Sequence, residues 1–111
     1  MKKYSITSDH IGEVNINYPS HPTYKDAKLD KETFDFQYEK LKQIIPEGSI
    51  CLDIGSHVGN FTLLFAACAG KTGKVLAFEP NIHCYEPLIQ TVKDNPNLNI
   101  LPFNVGCTEE T

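Results

Sequence analysis

A short apolar run followed by a glycine-containing loop constrains the fold of this chain most strongly. The run covers Ile50–Ile54 and is almost continuously apolar, which suits a strand covered on both faces, as in a parallel sheet. The loop ends at Gly59, and residues 60–69 then form an apolar segment of helix length that Gly70 ends. A buried strand that turns through glycines into a helix is typical of α/β folds.

The same alternation of helix and strand signals extends over most of the chain. Phe34, Tyr38 and Leu41 recur at helical spacing after Asp30, which suits an N-cap. The predicted elements are a helix over 30–45, strands over 50–54, 74–78 and 98–103, and helices over 60–69 and 81–94. This order specifies right-handed crossovers and a parallel sheet, with helices expected on both faces. The predicted fold class is α/β, a Rossmann-like doubly wound parallel sheet limited to about the first three strands, in the order 3-2-1, with flanking helices.

Length and composition fit one small folded unit. The chain has 111 residues, of which 41% are hydrophobic, and this leaves no room for a second independent core. Residues 1–29, with a weakly alternating stretch around 13–17, are predicted to form an N-terminal strand and loop segment, and residues 30–111 the main domain. The net charge is −4, and all ten cationic side chains are lysine, which argues against nucleic acid as a partner.

The cysteines indicate a reduced protein. Cys51, Cys68, Cys84 and Cys107 are widely spaced and form no C-x-x-C pair, which favours free thiols in an intracellular protein. Most lie in apolar stretches and are expected to be small core side chains rather than metal ligands. No window approaches the ~18 apolar residues of a membrane span. We therefore expect a cytoplasmic protein without a metal site.

The loop carries the strongest chemical signal, the pattern D-x-G-x-x-x-G formed by Asp53, Gly55 and Gly59. Gly55 allows a sharp turn and leaves bare backbone for a ligand, and Gly59 allows the helix to begin close to the strand. A carboxylate at position 53 suits the ammonium group at the amino-acid end of S-adenosylmethionine (SAM), whereas it would repel the pyrophosphate of NAD. The loop therefore favours SAM, although Asp53 could instead cap the turn that follows it.

Residues at the ends of the next two predicted strands extend this candidate site. Glu79 follows Gly59 by twenty residues, and an acid at this place in a doubly wound fold accepts hydrogen bonds from ribose hydroxyls. Asn104 and Val105 follow the third strand, where the crevice would receive adenine, and Asn104 could meet the adenine amino group. The alternatives are a surface strand end for Glu79 and a turn-forming role for Asn104.

Three segments resemble the SAM site of FkbM-type methyltransferases, over about residues 30–110: "CLDIGSHVGNFTLLFA", "GKTGKVLAFEPN" and "NPNLNILPFNVGCTEE". The candidate cofactor-binding residues are Asp53, Gly55, Ser56, Gly59, Asn60, Glu79, Pro80, Asn104 and Val105. The resemblance implies that the D-x-G-x-x-x-G loop with Ser56 surrounds the methionine portion of SAM. It also implies that Glu79 holds the ribose and that Pro80 and Asn104 border the adenine.

The resemblance further implies an enzyme, a SAM-dependent O-methyltransferase that acts on a hydroxyl of a small metabolite or sugar. The sequence locates no catalytic base. His57 stands where the family often has a small or polar residue, and we expect it to face solvent.

The family fold has a seven-stranded sheet in the order 3-2-1-4-5-7-6, and the resemblance covers only its first three strands. The strand over 50–54 would then present an unpaired edge with the apolar residues Ile50, Leu52 and Ile54. We expect this edge to pair with a second copy of the chain or with a missing C-terminal half. Two alternatives stay open. One is a catalytically inactive remnant or binding module that oligomerises through the edge, and the other is an NAD-dependent enzyme, which Asp53 and the glycine spacing disfavour.

Overall fold

The computed structural model describes residues 1–20 and 29–106. In chain order its elements are β1 (Lys2–Ser8), β2 (Gly12–Tyr18), α1 (Lys31–Lys42), β3 (Ile50–Ile54), α2 (Asn60–Ala69), β4 (Lys74–Phe78), α3 (Ile82–Asp94) and β5 (Ile100–Phe103). The first two strands form an antiparallel hairpin, and the last three form a parallel sheet.

The parallel sheet has the strand order that the sequence predicts. β4 lies between β3 and β5, and its register places Leu76 beside Leu52. β3 and β4 occupy the predicted residues, whereas β5 begins two residues late, at Ile100. The delay arises because Leu98 donates its backbone N–H to the Asn95 carbonyl and so belongs to the turn after α3. The α/β fold class is confirmed.

The helices lie on one face of this sheet in the described part of the chain, which corrects the expectation of helices on both faces. Val75, Ala77 and Ile100 are buried on the covered face, where α2 contacts β3 and β4 and α3 contacts β5. The expectation did not take into account that β3, β4 and β5 are added to the sheet in a single direction. Right-handed crossovers made in one direction place their helices on the same side, and the other side is reached only where the strand order reverses.

The opposite face of the sheet is apolar and open. Because paired residues of parallel strands share a face, every second residue of β3, β4 and β5 lies on this side. Its exposed large apolar residues are Ile50 (65%), Ile54 (61%), Leu52 (60%), Leu101 (48%) and Phe103 (40%). We call this surface the open sheet face. The predicted exposure of Ile50, Leu52 and Ile54 is confirmed. The exposed apolar surface extends over a whole face of the sheet in addition to the edge of β3.

The N-terminal segment is a hairpin rather than the single short strand that was expected. β1 and β2 pair from Lys2 opposite Tyr18 to Ser8 opposite Gly12. The sequence pattern misses β1 because most of its residues are polar and exposed, whereas β2 contributes Val14, Ile16 and Tyr18 to the core. The Gly12 backbone, with a φ of +80°, begins β2 in a conformation that favours glycine.

A network of buried polar groups joins β2 to α3. Asn15 donates its backbone N–H to Asn95 Oδ1 at 2.9 Å, and Asn95 Nδ2 returns a bond to the Asn15 carbonyl at 2.7 Å. The Asn17 backbone N–H donates to Thr91 Oγ1 at 2.9 Å. All four residues are at most 5% exposed, and buried polar groups of this kind are costly to leave without partners. The hairpin is therefore part of the same core as residues 29–106.

α1 begins as predicted and ends early. Asp30 caps it, because its Oδ2 accepts from the Thr33 backbone N–H at 3.0 Å. The helix ends at Lys42, three residues before the predicted end, because the N–H groups of Ile44 and Ile45 both bond to the Leu41 carbonyl.

The cysteines lie mostly inside the fold. Cys68 and Cys84 are buried, and Cys51 is half-buried. Burial raises the pKa of the Cys51 and Cys68 thiols, as suits small core side chains. Cys107 lies outside the described residues. Within residues 1–20 and 29–106, no helix is both long and apolar enough to cross a bilayer, and no three His, Cys, Asp or Glu side chains cluster as a metal site would require.

Candidate cofactor site

The loop after β3 turns sharply and is bonded to the end of β4. Gly55 and Ser56 both donate their backbone N–H groups to the Phe78 carbonyl, at 2.9 and 3.0 Å. Gly55 has a φ of +75°, and a Cβ built there would meet no atom within 4 Å. Backbone conformation therefore favours glycine in this sharp turn, as predicted, and the space beside it is open.

Gly59 permits a close approach, although its neighbour is a helix rather than the strand expected from the sequence. Its φ is +107°, and a Cβ there would lie 3.0 Å from Leu88 Cδ1 of α3. No side chain caps α2 at this residue. Gly59 thus brings the start of α2 against α3.

Asp53 is held by the first turn of α2. Its Oδ2 accepts a hydrogen bond from Thr62 Oγ1 at 2.6 Å, and Thr62 is fully buried. The turn after β3 is closed instead by Ser56, whose hydroxyl donates to the Asp53 main-chain carbonyl at 2.7 Å. Within the described residues Asp53 Oδ1 accepts no hydrogen bond. One carboxylate oxygen is therefore fixed, and the other remains an acceptor.

Glu79 lies at the end of β4 and is only 4% exposed, which contradicts the alternative of a surface strand end. Its Oε1 accepts from the His57 backbone N–H at 2.7 Å, and its Oε2 accepts from the Asn81 backbone N–H at 3.0 Å. The carboxylate therefore ties the glycine loop to the start of α3. Each oxygen keeps further acceptor capacity beyond these single bonds.

Asn104 connects the ends of β4 and β5. Its Nδ2 donates to the Glu79 carbonyl at 2.8 Å and to the Pro80 carbonyl at 3.1 Å. Both amide hydrogens are thus used by the backbone, and Oδ1 is left as the acceptor that an adenine amino group would need. Val105 follows with 52% exposure.

A pocket of about 320 Å³ opens beside the glycine loop. It is lined by Tyr18, Asp53, Gly55, Ser56, His57, Val58, Asn60 and Phe61. Four of the nine predicted cofactor residues line this pocket: Asp53, Gly55, Ser56 and Asn60. The others do not line this pocket: Gly59, Glu79, Pro80, Asn104 and Val105.

Val58, Phe61 and Tyr18 line the pocket without having been predicted as site residues, and of these Tyr18 is the one that lies far from the loop along the chain. It belongs to β2, and its hydroxyl donates to Asn60 Oδ1 at 2.9 Å across 42 positions of the chain. Its ring meets that of Tyr4 edge-on, with centroids 5.6 Å apart. Burial raises the pKa of Tyr18 and outweighs the opposite effect of the hydrogen bond to Asn60, so the phenol is neutral near pH 7. No local pattern could reveal this contact, because it depends on how the hairpin packs.

His57 is exposed, as predicted, and has a φ of +56° that is uncommon for a residue with a side chain. Its Nδ1 lies 3.8 Å from Cys84 Sγ. The backbone N–H of His57 serves Glu79, so the tight turn here positions a main-chain group.

Comparison with known proteins gives a match to structures only. No protein-family model matches the sequence, and a search of curated proteins finds no match. Among solved structures, a SAM-dependent methyltransferase from Aquifex aeolicus is similar, with a TM-score of 0.54, 19% identity, and coverage of 76% of this chain and 50% of that one. Fibrillarin from Aeropyrum pernix, solved with natively bound SAM, has a TM-score of 0.53 at 16% identity, covering 94% of this chain and 52% of that one.

A protein-L-isoaspartate O-methyltransferase is also similar, with a TM-score of 0.56, 12% identity, and coverage of 94% of this chain and 28% of that one. The chain therefore has the Rossmann-like fold of class I SAM-dependent methyltransferases. It spans between 28% and 52% of the length of these three proteins.

Proposed function

We propose that this chain is the cofactor-binding portion of a SAM-dependent methyltransferase. One observation carries the proposal: Gly55, with open space at its Cβ position, and Asp53, whose Oδ1 accepts no hydrogen bond from the described residues, line one pocket at the carboxyl end of β3. Ligands of open α/β sheets bind beyond the carboxyl ends of the strands. Here a bare backbone turn and a fixed carboxylate stand side by side in that position.

The residues present fit the methionine portion of SAM. Asp53 Oδ1 would accept from its ammonium, and Gly55 would let the chain of the ligand pass against the backbone. Ser56 and Asn60, which line the same pocket, would complete the surroundings, and Gly59 would shape the start of α2 beside them. The pocket of about 320 Å³ would hold this portion and leaves the nucleoside to the neighbouring strand ends. When bound, SAM supplies an electrophilic methyl group on its sulfonium.

The nucleoside would lie along the ends of β4 and β5. Glu79 would hold the ribose hydroxyls with the acceptor capacity that its two backbone bonds leave. Pro80 and Val105 would border the adenine, and Asn104 Oδ1 would accept from its amino group. The hydrogen bonds of Asn104 to the Glu79 and Pro80 carbonyls would hold these groups in place.

The acceptor is proposed from the resemblance to FkbM-type enzymes, as a hydroxyl of a small metabolite or sugar. The chain's part in that reaction is to hold the donor so that its methyl group is presented in line to the incoming oxygen. We assign no catalytic base to the described residues.

A binding module that oligomerises through the sheet is the second candidate, and the open sheet face supports it. Ile50, Leu52 and Ile54 are each at least 60% exposed on β3, which pairs with β4 alone among the described strands. Exposed apolar faces and unpaired strand edges both favour association with another chain.

Calorimetric titration with S-adenosylhomocysteine, the stable product form of SAM, tests the first proposal. We expect weak but saturable binding by the wild-type chain and a loss of roughly tenfold to hundredfold in affinity for Asp53→Asn, because the variant removes a charge-assisted hydrogen bond. Asp53→Asn keeps an oxygen for Thr62, so the fold should persist. Asp9→Asn, at an exposed carboxylate paired with Lys31, is the matched control and should bind as the wild type does.

Three results would count against the proposal. They are the absence of binding by the wild type, equal binding by Asp53→Asn, and displacement of S-adenosylhomocysteine by NAD. Without cofactor binding, a mass that rises with protein concentration would favour the binding module.

A further inference from the structure

We propose that the N-terminal hairpin selects the amino-acid end of the cofactor, with Tyr18 positioning Asn60 to donate to a carboxylate. This inference rests on the proposed function. It assigns a role to a strand that lies outside the predicted cofactor-binding portion.

The first step of the argument is the geometry of Asn60. Its Oδ1 accepts from the Tyr18 hydroxyl at 2.9 Å, and both residues line the pocket beside the glycine loop. With Oδ1 placed against the Tyr18 hydroxyl, Nδ2 is the end of the carboxamide available to a ligand. Within residues 1–20 and 29–106, Asn60 Nδ2 donates to no protein acceptor.

The second step is that the pocket then offers both a hydrogen-bond acceptor and a hydrogen-bond donor. Asp53 provides an anionic acceptor, and Asn60 provides a donor held in place. An α-amino acid carries an ammonium and a carboxylate on the same carbon. The pair Asp53 and Asn60 therefore matches a zwitterion, whereas Asp53 alone would select only the cation.

The third step is that Tyr18 is fixed well enough to position another side chain. It is 3% exposed, and its ring packs against Tyr4. Its strand is bonded to α3 through the Asn15 and Asn17 network. Because Tyr18 is fixed by the Tyr4 ring and by the bonds of its strand to α3, its hydroxyl loses little further conformational freedom when a ligand binds.

Two ligands distinguish selection of the amino-acid end from general structural support of the pocket. S-adenosylhomocysteine carries the amino-acid end, and 5′-deoxy-5′-methylthioadenosine lacks it while keeping the nucleoside and the thioether. Dissociation constants for both are measured by amide NMR titration, which also detects millimolar affinities. The variants are Tyr18→Phe, which removes only the hydroxyl, and Asn60→Asp, which keeps the acceptor for Tyr18 and places a negative charge beside the ligand carboxylate. Tyr4→Phe is the control.

We expect both variants to weaken S-adenosylhomocysteine by about tenfold, as the loss of one well-made hydrogen bond would, and to leave methylthioadenosine within roughly twofold. The control should change neither constant. Equal weakening of both ligands would assign Tyr18 a structural role and overturn the inference, as would unchanged binding of both.

The remaining outcomes are also decisive. If Tyr18→Phe lowers the melting temperature strongly, Asn60→Asp decides the question, because residue 60 is exposed and tolerates the change. If the wild type binds neither ligand, the proposed function fails and the inference fails with it. If the wild type binds both ligands and neither variant changes the two dissociation constants differently, the inference is refuted and the proposed function stands.

Discussion

Alanine substitutions at the two glycines of the loop should destabilise the protein by different amounts. Gly55 has a φ of +75° with open space at the Cβ position, so Gly55→Ala incurs backbone strain alone. Left-handed backbone costs an L-residue about 1–2 kcal/mol, and the reduced freedom of the unfolded chain returns about 0.4–1 kcal/mol. We therefore expect a net loss of about 1 kcal/mol in the free energy of unfolding.

Gly59→Ala should cost more, for two reasons. Its φ of +107° lies farther than that of Gly55 from the value of about +57° typical of left-handed backbone, and strain in such conformations reaches about 1–3 kcal/mol. Its new methyl group would also press on Leu88 Cδ1 at 3.0 Å. A total of about 2–3 kcal/mol follows. Because Leu88→Val is itself destabilising at this buried site, the contact is measured by a double-mutant cycle, in which the losses for Gly59→Ala and Leu88→Val should sum to more than the loss for the double variant.

Urea unfolding followed by circular dichroism measures both losses, with the denaturant slope checked for constancy between variants. Gly55→Ala should also weaken S-adenosylhomocysteine, because its methyl group enters the open space, whereas Gly59→Ala should act mainly on stability. Equal stability losses, or a larger loss for Gly55→Ala, would refute the account of the loop.

The remaining predictions concern the open sheet face and acid stability. Leu52→Lys should lower the average mass measured by sedimentation at high concentration, whereas Ile44→Lys, at a 75% exposed site away from the sheet, should leave it unchanged. Equal masses for the two variants would exclude the open sheet face as the associating surface. Asp94 has a pKa held below its ordinary value by the Asn17 carboxamide, with help from Gln90 and Lys3. Its contribution is present above the unfolded pKa of about 3.9 and is lost as the pH falls through the lower folded pKa, so stability should drop below about pH 4. Urea titrations at pH 5 and pH 3 should show a smaller drop for Asp94→Asn, and identical drops would contradict this assignment.

Much of the parallel sheet could be predicted because its signals are local. Apolar runs of strand length give β3 and β4 at their observed residues, and the turn glycines separate them from the helices. The side on which the helices lie depends on strand order and crossover handedness together. That combination was available from the sequence, because three strands added in one direction fix one side for both crossover helices.

The hairpin and the pocket residue Tyr18 could not be predicted in the same way. β1 has only two apolar residues, Tyr4 and Ile6, each half-buried between exposed polar neighbours, so its alternation is too short to stand out in the sequence. Tyr18 reaches Asn60 only because buried asparagines join β2 to α3, and pairings between residues 42 or more positions apart leave no local pattern.

The acidic residues illustrate what a motif predicts and what it leaves out. The pattern correctly indicated carboxylates at the ends of β3 and β4. It did not indicate that Thr62 and two backbone N–H groups would already bond to Asp53 and Glu79. These bonds fix the loop in place, so the site is ordered by the same groups that are proposed to receive the ligand.

An amide chemical-shift map at saturating S-adenosylhomocysteine tests the central claim most directly. The account predicts that the largest shifts fall on residues 53–60, with further shifts at 79–81 and 104–105, at the carboxyl ends of the three parallel strands. Shifts confined to the open sheet face or to the far end of the sheet, or no shifts at all, would contradict a cofactor site at this loop.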